Sequence, residues 1–309
     1  MTILFFSEVD DPEDWRQAFA ALSPETEFRV WPDVGNAADI ELALVWKPPA
    51  NALDGFPNLR LIASLGAGVD HLFGGAPLPA GIPVTRIVDE SLTDQMVEYI
   101  ALGTLFCHRQ MPAYQTQQRA ADWRMIRQPL GSERRVGVMG LGVLGMASAT
   151  MLHALKFDVA GWSRSPKSRD GIRTFAGRDR LGEFLARTDI LVCLLPLTPE
   201  TEGVVDAGLL RQLPAGAAFV NAGRGGHVVE ADLLAALDTG HISHAFLDVF
   251  RAEPLPSDSP FWQHPSVTVT PHAASITNAR SSAVQVLESL RRVRAGERPL
   301  NEVDPKTGY

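Results

Sequence analysis

The strongest structural signal in this chain is the stretch Arg135-Val-Gly-Val-Met-Gly140-Leu-Gly142-Val-Leu-Gly145. An apolar run predicts a strand over Arg135–Met139, and a helical pattern follows the glycines to about Leu155. In the spacing G-x-G-x-x-G, the first glycine permits a tight exit from the strand. The second lets the backbone approach a pyrophosphate, and the third lets helix and strand pack closely. The motif therefore predicts a dinucleotide site, with a glycine-rich packing turn as the alternative.

Short apolar runs alternate with helical patterns on both sides of this stretch, which is typical of parallel α/β sheets. The pattern predicts two α/β lobes, with a boundary near residue 98 inside a long helix. Apart from the strand over Arg135–Met139, the strands predicted for the second lobe are Asp158–Trp162, Ile190–Leu194, Ala217–Asn221, Ala245–Phe250 and Val267–Thr270. A helix is predicted over Glu230–Asp238, ending at Gly240.

The composition is that of a globular protein, with 309 residues, 45% hydrophobic and 21% charged. The net charge of −8 argues against a sequence-independent nucleic-acid binder, which needs a positive surface. Cys107 and Cys193 both lie in apolar runs, which indicates small buried hydrophobes in a reducing compartment and neither a disulfide nor a metal pair. No signal peptide, membrane span or metal site is predicted, so we expect a cytoplasmic protein.

The strand ending at Trp162 is followed by Ser163-Arg164-Ser165-Pro166-Lys167. An NAD enzyme usually places an Asp or Glu at this point for the ribose hydroxyls. Arg and Ser can instead hydrogen-bond a 2′-phosphate, and Lys167 adds positive potential. The sequence therefore predicts NADP(H), with NAD(H) as the weaker alternative. The other interpretation is a solvated basic loop.

Arg224, Glu253 and His272 each lie just beyond the end of a predicted strand. Because the carboxyl ends of parallel strands share one edge of the sheet, we expect these side chains to meet beside the glycine loop. Arg224 can hold a substrate carboxylate and polarise a neighbouring carbonyl. His272 as imidazolium can donate a proton, and Glu253 can orient its ring. Taken singly, each residue also has a structural interpretation: a salt bridge, a solvated acid or a capped histidine.

Five motifs follow one another in the order seen in D-isomer-specific 2-hydroxyacid dehydrogenases, a family that the chain resembles over nearly its whole length. They are Gly140-x-Gly-x-x-Gly145, Leu195-Pro-Leu-Thr-Pro-Glu-Thr201, Asn221-Ala-Gly-Arg-Gly225, Leu247-Asp-Val-Phe-Arg-Ala-Glu-Pro254 and Thr270-Pro-His-Ala-Ala274. Within the family, the chain is most similar to the glyoxylate/hydroxypyruvate reductase A group. The motifs that indicate this group are Val45-Trp-Lys-Pro-Pro49, Leu65-Gly-Ala-Gly-Val-Asp70, Trp162-Ser-Arg-Ser165 and His227-Val-Val-Glu230.

The resemblance implies two flavodoxin/Rossmann-like lobes with parallel sheets, the nucleotide lobe being inserted into the substrate lobe. On this basis the substrate-binding domain comprises residues 1–98 and 278–309, and the NAD(P)-binding domain comprises residues 99–277. The resemblance also implies a homodimer.

The resemblance gives Arg224, Glu253 and His272 the catalytic roles described above. It adds Asp248 as a contact of the nicotinamide amide and Trp46 as a wall of the substrate pocket. The candidate cofactor residues are Gly140, Leu141, Gly142, Val143, Leu144, Gly145, Ser163, Arg164, Ser165, Lys167, Leu195, Pro196, Thr201, Ala222 and Asp248. The candidate substrate residues are Trp46, Gly66, Ala67 and Gly68.

The activity implied is NADPH-dependent reduction of small 2-oxo acids, from glyoxylate to glycolate and from hydroxypyruvate to D-glycerate. The cofactor supplies the hydride. Two alternatives stay open at this point. One is a dehydrogenase for a larger 2-hydroxy acid, and the other is a dinucleotide-sensing interaction module.

Overall fold

The computed structural model describes residues 1–74 and 77–304, which divide into two compact units. The first unit combines Met1–Leu92 with the segment from Ile276 onward, and the second is Thr93–Ser275. The sequence predicts boundaries at 98/99 and 277/278, a few residues further along the chain. The first boundary falls earlier because Met96, Tyr99 and Ile100 already pack into the core of the second unit.

Strands and helices alternate along the residues that the structure describes. The strands are β1 (Thr2–Phe6), β2 (Glu27–Val30), β3 (Ile40–Val45), β4 (Leu61–Ser64), β5 (Val84–Thr85), β6 (Arg135–Met139), β7 (Asp158–Ser163), β8 (Arg173–Ala176), β9 (Ile190–Cys193), β10 (Ala217–Asn221), β11 (Ile242–Leu247) and β12 (Val267–Val269). The α-helices are α1 (Pro12–Leu22), α2 (Asp70–Phe73), α3 (Glu90–His108), α4 (Met111–Arg119), α5 (Val143–Ala154), α6 (Leu181–Ala186), α7 (Ala207–Leu210), α8 (Glu230–Asp238) and α9 (Ala279–Arg294).

The sheet of the first unit has the order β2-β1-β3-β4-β5, and its strands pair in parallel. This is the flavodoxin-like order of a doubly wound sheet. Its core includes Leu4, Ile62 and Val69, together with Val303 from the far end of the chain. Helix α9 packs against α1 and β4, so the carboxyl-terminal segment completes the first unit. The chain therefore inserts the second unit between the two parts of the first.

The sheet of the second unit has the order β12-β11-β10-β9-β6-β7-β8, also with parallel pairing. Counted from β6, this is the Rossmann order extended by one strand, and the direction of winding reverses between β6 and β9. Ligands of such sheets bind beyond the carboxyl ends of the strands at this reversal. The glycine loop leaves β6 at this point.

Five strands of the second unit differ from the sequence prediction. β7 ends one residue later than predicted, at Ser163, and β9 ends one residue earlier, at Cys193. β11 covers Ile242–Leu247 where the sequence predicts Ala245–Phe250, because the chain leaves the sheet at Asp248 and buries Val249 and Phe250 in a turn. β12 ends at Val269, one residue earlier than predicted. β8 is absent from the sequence prediction: it is a short edge strand in which Phe175 is the buried residue.

Both cysteines are free and buried, and burial raises the pKa of each thiol, Cys107 and Cys193, to about 12. Thiols of this kind are protonated and inert. Their burial confirms the prediction that both cysteines are small buried hydrophobes. Within residues 1–74 and 77–304, no helix combines the length and the apolar character needed to cross a membrane.

Candidate active site

The three glycines after β6 have different surroundings. Gly140 has a φ of +98°, and a Cβ there would lie 2.5 Å from the Leu194 carbonyl oxygen. A Cβ on Gly145 would lie 1.7 Å from the Gly140 carbonyl oxygen. Gly142, the residue before α5, has open space where its Cβ would be. Two glycines are thus needed for the fold, and the third leaves the amino end of a helix accessible to a phosphate.

The three apolar residues of the glycine loop differ in exposure, since two of them pack into the protein and the third does not. The Leu141 side chain is buried, and a Cβ on Gly161 in β7 would lie 2.4 Å from it. Leu144 packs against the core, and Val143 is exposed. The first N–H groups of α5 lack partners within the helix, and such groups are the donors that bind phosphate at helix amino ends.

The loop after β7 carries the predicted 2′-phosphate residues. Ser163 is buried at the end of the strand, and its hydroxyl donates to the Ser165 carbonyl oxygen over 2.8 Å. Arg164, Ser165 and Lys167 are exposed. The glycine loop follows β6 and this basic loop follows β7, and the two strands are parallel neighbours in the sheet.

The loop after β9 holds itself together through Thr201. The Thr201 hydroxyl accepts a hydrogen bond from the Thr198 N–H over 2.8 Å and donates to the Pro196 carbonyl oxygen over 2.7 Å. Leu195 is buried beside it, and Ala222 is buried just after the neighbouring β10. Thr201 therefore shapes the predicted cofactor loop, while contacts of these residues with the cofactor remain predictions.

Arg224 lies in a tight turn after β10 that two buried side chains organise. The Asn221 amide accepts from the Gly223 N–H over 3.1 Å and donates to the Arg224 carbonyl oxygen over 3.1 Å. The His227 Nδ1 accepts from the Arg224 N–H over 3.2 Å. The guanidinium donates to the Gly223 carbonyl oxygen over 2.8 Å. Asn221 and His227 are fully buried, so the backbone that carries Arg224 is held by hydrogen bonds to buried side chains.

The Arg224 turn packs directly on the turn that bears Glu253. A Cβ on Gly225 would lie 1.8 Å from the Phe250 carbonyl carbon, so only glycine fits at this junction. The Phe250 N–H donates to the Glu253 Oε1 over 3.0 Å. This bond leaves the second carboxylate oxygen for another partner.

That partner is His272, whose Nδ1 lies 2.9 Å from the Glu253 Oε2. His272 has a φ of +54°, in the left-handed region that non-glycine residues seldom adopt. An ionised carboxylate can only accept, so Nδ1 carries the proton of this bond. The structure thus brings together the three residues predicted to be catalytic, all within the second unit.

Asp248 holds residues 270–274, which we call the His272 turn. Its Oδ1 accepts from the Thr270 hydroxyl over 2.6 Å and from the Ala273 N–H over 2.8 Å. Its Oδ2 accepts from the Ala274 N–H over 2.9 Å. The family resemblance implies that Asp248 contacts the nicotinamide amide, and this stays a prediction. The structure shows that Asp248 holds the backbone of the His272 turn.

In the first unit, the candidate substrate residues lie in residues 65–69, which we call the Gly66 loop, and at the end of β3. A Cβ on Gly66 would lie 2.9 Å from the Trp46 ring, which itself lies 4.3 Å from the His71 ring. The Ser64 hydroxyl accepts from the Gly66 N–H over 3.3 Å and donates to the Gly68 carbonyl oxygen over 3.0 Å. The loop that contains Gly66, Ala67 and Gly68 is therefore tied to the end of β4.

Sequence reasoning missed the residues that hold these turns in place. Asn221 and His227 lie inside recognisable motifs, but the sequence alone gives neither a task. Ser64 and His71 flank the glycine stretch of the first unit. For Asn221 and Ser64 the available signal is a polar residue at the end of an apolar strand. His71 and His227 lie further along the chain and carry no such signal.

The fold and the site define the second unit as the nucleotide-binding domain of an oxidoreductase. The family model of the NAD-binding domain of D-isomer specific 2-hydroxyacid dehydrogenases matches residues 102–274, more than half of the chain. The chain belongs to the D-isomer specific 2-hydroxyacid dehydrogenase family.

Several solved structures are similar to this chain over its whole length. A D-isomer specific 2-hydroxyacid dehydrogenase from Xanthobacter autotrophicus Py2, in complex with NADPH and MES, is 44% identical with a TM-score of 0.96, covering 100% of this chain and 99% of that one. An NADPH-dependent glyoxylate/hydroxypyruvate reductase from Sinorhizobium meliloti, with NADP and sulfate, is 38% identical with a TM-score of 0.93 and the same coverage. A probable 2-hydroxyacid dehydrogenase from Rhizobium etli CFN 42, with NADP, HEPES and L(+)-tartaric acid, is 37% identical with a TM-score of 0.89, again at 100% and 99%.

Proposed function

We propose that this protein reduces small 2-oxo acids with NADPH, converting glyoxylate to glycolate and hydroxypyruvate to D-glycerate. The observation that carries the proposal is the 2.9 Å pair of His272 and Glu253, whose turn packs on that of Arg224. An acid–base pair and a guanidinium beside a dinucleotide-binding edge suit hydride transfer to a carbonyl next to a carboxylate. The reductase from Sinorhizobium meliloti, 38% identical to this chain, supports the substrate class.

In this mechanism Arg224 binds the substrate carboxylate and polarises the adjacent carbonyl. His272 holds a proton at Nε2 and delivers it to the carbonyl oxygen as that oxygen gains electrons. Glu253 orients the ring through Nδ1 and stabilises the imidazolium before the transfer. Bound NADPH supplies the hydride to the carbonyl carbon, so that NADPH, a proton and a 2-oxo acid give NADP⁺ and a 2-hydroxy acid.

For the substrate, we assign the backbone N–H groups of Ala67 and Gly68 to the carboxylate and the Trp46 ring to the wall of the pocket. The Gly66 N–H already donates to Ser64, which leaves the next two N–H groups of the loop for this task. The Trp46 ring lies against Gly66, where a larger residue would displace it. A ring fixed in this way favours a two- or three-carbon acid over a longer one.

For the cofactor, we assign the 2′-phosphate of NADPH to Ser163, Arg164, Ser165 and Lys167. Residues 163–167 contain no acid, so nothing in this loop repels a phosphate. The glycine loop would hold the pyrophosphate, and Asp248 the nicotinamide amide. The relatives from Xanthobacter autotrophicus Py2 and Sinorhizobium meliloti, solved with NADPH and NADP, support NADP(H) over NAD(H).

We further propose a cytoplasmic homodimer. Two buried free thiols suit a reducing compartment. Large apolar side chains of the second unit are exposed in the single chain, which favours a partner surface. They include Leu102, Met111, Trp123, Met125 and Leu130. Sedimentation of the purified protein tests the dimer.

The test of the activity follows NADPH oxidation by the purified protein at micromolar concentration with a panel of 2-oxo acids. We expect turnover with glyoxylate and hydroxypyruvate, weaker turnover with NADH, and D-glycerate as the product of hydroxypyruvate. A preference for long-chain 2-oxo acids would make the protein a dehydrogenase of larger substrates. Binding of NADPH with no turnover of any acid would contradict the proposal and favour a dinucleotide-sensing module.

A further inference from the structure

The His272 turn is held in an unfavourable backbone conformation by one carboxylate. The N–H groups of Ala273 and Ala274 both donate to the Asp248 side chain, and the His272 N–H donates to the Asp248 carbonyl oxygen over 2.8 Å. The φ of +54° at His272 costs free energy that these bonds offset. Anything that orients the Asp248 carboxylate therefore also orients the imidazole.

Two further side chains orient that carboxylate. The Thr270 hydroxyl donates to the Asp248 Oδ1 over 2.6 Å. The Tyr99 hydroxyl lies 2.6 Å from the same Thr270 oxygen. Because the Thr270 proton is given to Asp248, the Tyr99 hydroxyl is the donor of this second bond. A directed chain of hydrogen bonds thus runs from α3 to the turn that carries His272.

The surroundings of Tyr99 keep it in this task. Its side chain is 9% exposed, and its ring lies 5.4 Å from that of Phe246 in β11. Burial raises the pKa of the Tyr99 phenol, so the group stays protonated and remains a donor. Its ring packs in the core, while its hydroxyl is committed to Thr270.

We propose that Tyr99 and Thr270 are positioning residues for the reaction, setting the orientation of His272 through Asp248. The inference rests on the proposed function. Thr270, Ala273 and Ala274 together occupy three of the about four acceptor positions of a carboxylate. One acceptor position is left for the nicotinamide amide, and the hydrogen-bond network sets the direction of that position. Tyr99 and Thr270 would therefore act on kcat, with little effect on the binding of the 2-oxo acid.

The test compares Tyr99→Phe, Thr270→Val and the double variant with the wild-type enzyme. Removing the phenol hydroxyl keeps the ring packing, and we expect kcat to fall about three- to tenfold while KM for the 2-oxo acid stays within about twofold. Thr270→Val removes the bond to a charged acceptor, and we expect a fall of about 10- to 100-fold. Since Tyr99 acts through Thr270, the double variant should match Thr270→Val within about twofold.

Two controls separate positioning from general loss of structure. Tyr114→Phe removes a phenol hydroxyl that bonds the Ile126 backbone in the same unit, and it should leave kcat unchanged. Thr270→Ser keeps the hydroxyl and should restore most of the activity, which also keeps the test available if Thr270→Val does not fold. Amide hydrogen exchange over residues 272–274 should speed up in Tyr99→Phe and stay at the wild-type rate in Tyr114→Phe.

The outcomes are distinguishable from failure of the proposed function. If the wild-type enzyme turns over no 2-oxo acid, the proposed function fails, and hydrogen exchange alone decides whether the network holds the turn. If the wild type is active but Tyr99→Phe equals it in kcat and exchange, the inference is wrong. Additive losses in the double variant, or a rise in KM with kcat kept, would also overturn it.

Discussion

The Gly66 loop and the His272 turn are both held in place by side-chain hydrogen-bond acceptors, but the acceptors differ in charge. Each follows a strand of a parallel sheet, and side-chain acceptors receive backbone N–H groups in and around each. At the His272 turn the acceptor is the ionised carboxylate of Asp248. In the first unit the acceptors are the Ser64 hydroxyl and the His71 ring, both neutral in this arrangement. Hydrogen bonds to an ionised acceptor are roughly twice as strong as neutral ones.

Each arrangement also supports a residue with a left-handed backbone. His272 has a φ of +54°, and Lys47, beside Trp46, has a φ of +49°. The Lys47 N–H donates to the His71 Nδ1 over 3.1 Å, so the other ring nitrogen, 3.1 Å from the Ser64 hydroxyl, carries the proton. The stronger acceptor therefore supports the residue proposed to transfer a proton, and the weaker one supports Lys47, which follows Trp46, the proposed wall of the substrate pocket.

His272, the proposed proton donor, is held by the stronger of the two acceptors. We expect His272→Asn to lower kcat by about 10²- to 10⁴-fold, the usual contribution of a general acid, with the Kd for NADPH unchanged. Initial rates and NADPH fluorescence titration measure the two quantities. His264→Asn is the matched control, because His264 precedes β12 and therefore lies at the opposite edge of the same sheet. Near-normal turnover of His272→Asn would refute the proton-donor role.

The loop after β7 differs from both regions, because three of its four predicted contact residues are exposed. We expect the pair Ser163→Asp and Arg164→Ala to move the ratio of kcat/KM for NADPH over NADH toward NADH by about tenfold or more. An acid repels the 2′-phosphate and can accept from the ribose hydroxyls. Arg211→Ala, an exposed arginine of the same unit, should leave the ratio unchanged. An unaltered ratio in the double variant would show that the phosphate is read elsewhere.

The elements that the sequence predicts well are those bounded by residues with one local meaning. Gly140 follows β6 and Gly240 follows the end of α8, and both elements have the predicted bounds. The predicted carboxyl end of β11 is too late because the chain leaves the sheet at Asp248, whose carboxylate accepts from the N–H groups of residues 273 and 274. No local pattern contains that information.

The residues of the candidate site also fall into those that the sequence could predict and those that it could not. Arg224, Glu253 and His272 could be predicted because rare polar residues stand after apolar strands, and the sheet topology brings such positions to one edge. Tyr99 could not be predicted, since its partner Thr270 is 171 residues away and the periodicity of α3 makes it a core residue. Positioning residues depend on contacts that exist only once the chain has folded.

The Gly66 loop is held by neutral acceptors, so a substitution there should change the kinetics less than one at His272. Ser64→Ala removes the acceptor of the Gly66 N–H and the donor to the Gly68 carbonyl oxygen, so the loop proposed to bind the substrate carboxylate loses its tie to β4. We expect KM for glyoxylate to rise about three- to tenfold, with kcat within about twofold, because two neutral hydrogen bonds contribute little more than this.

Steady-state kinetics with saturating NADPH separates the two parameters. Ser289→Ala, which removes another buried serine hydroxyl of the first unit, should leave both unchanged. If Ser64→Ala lowered kcat as strongly as Thr270→Val does, the two regions would not differ in task, and the Gly66 loop would take part in the chemical step. If it changed neither parameter, the loop would keep its shape without Ser64, and the tie to β4 would have no part in substrate binding.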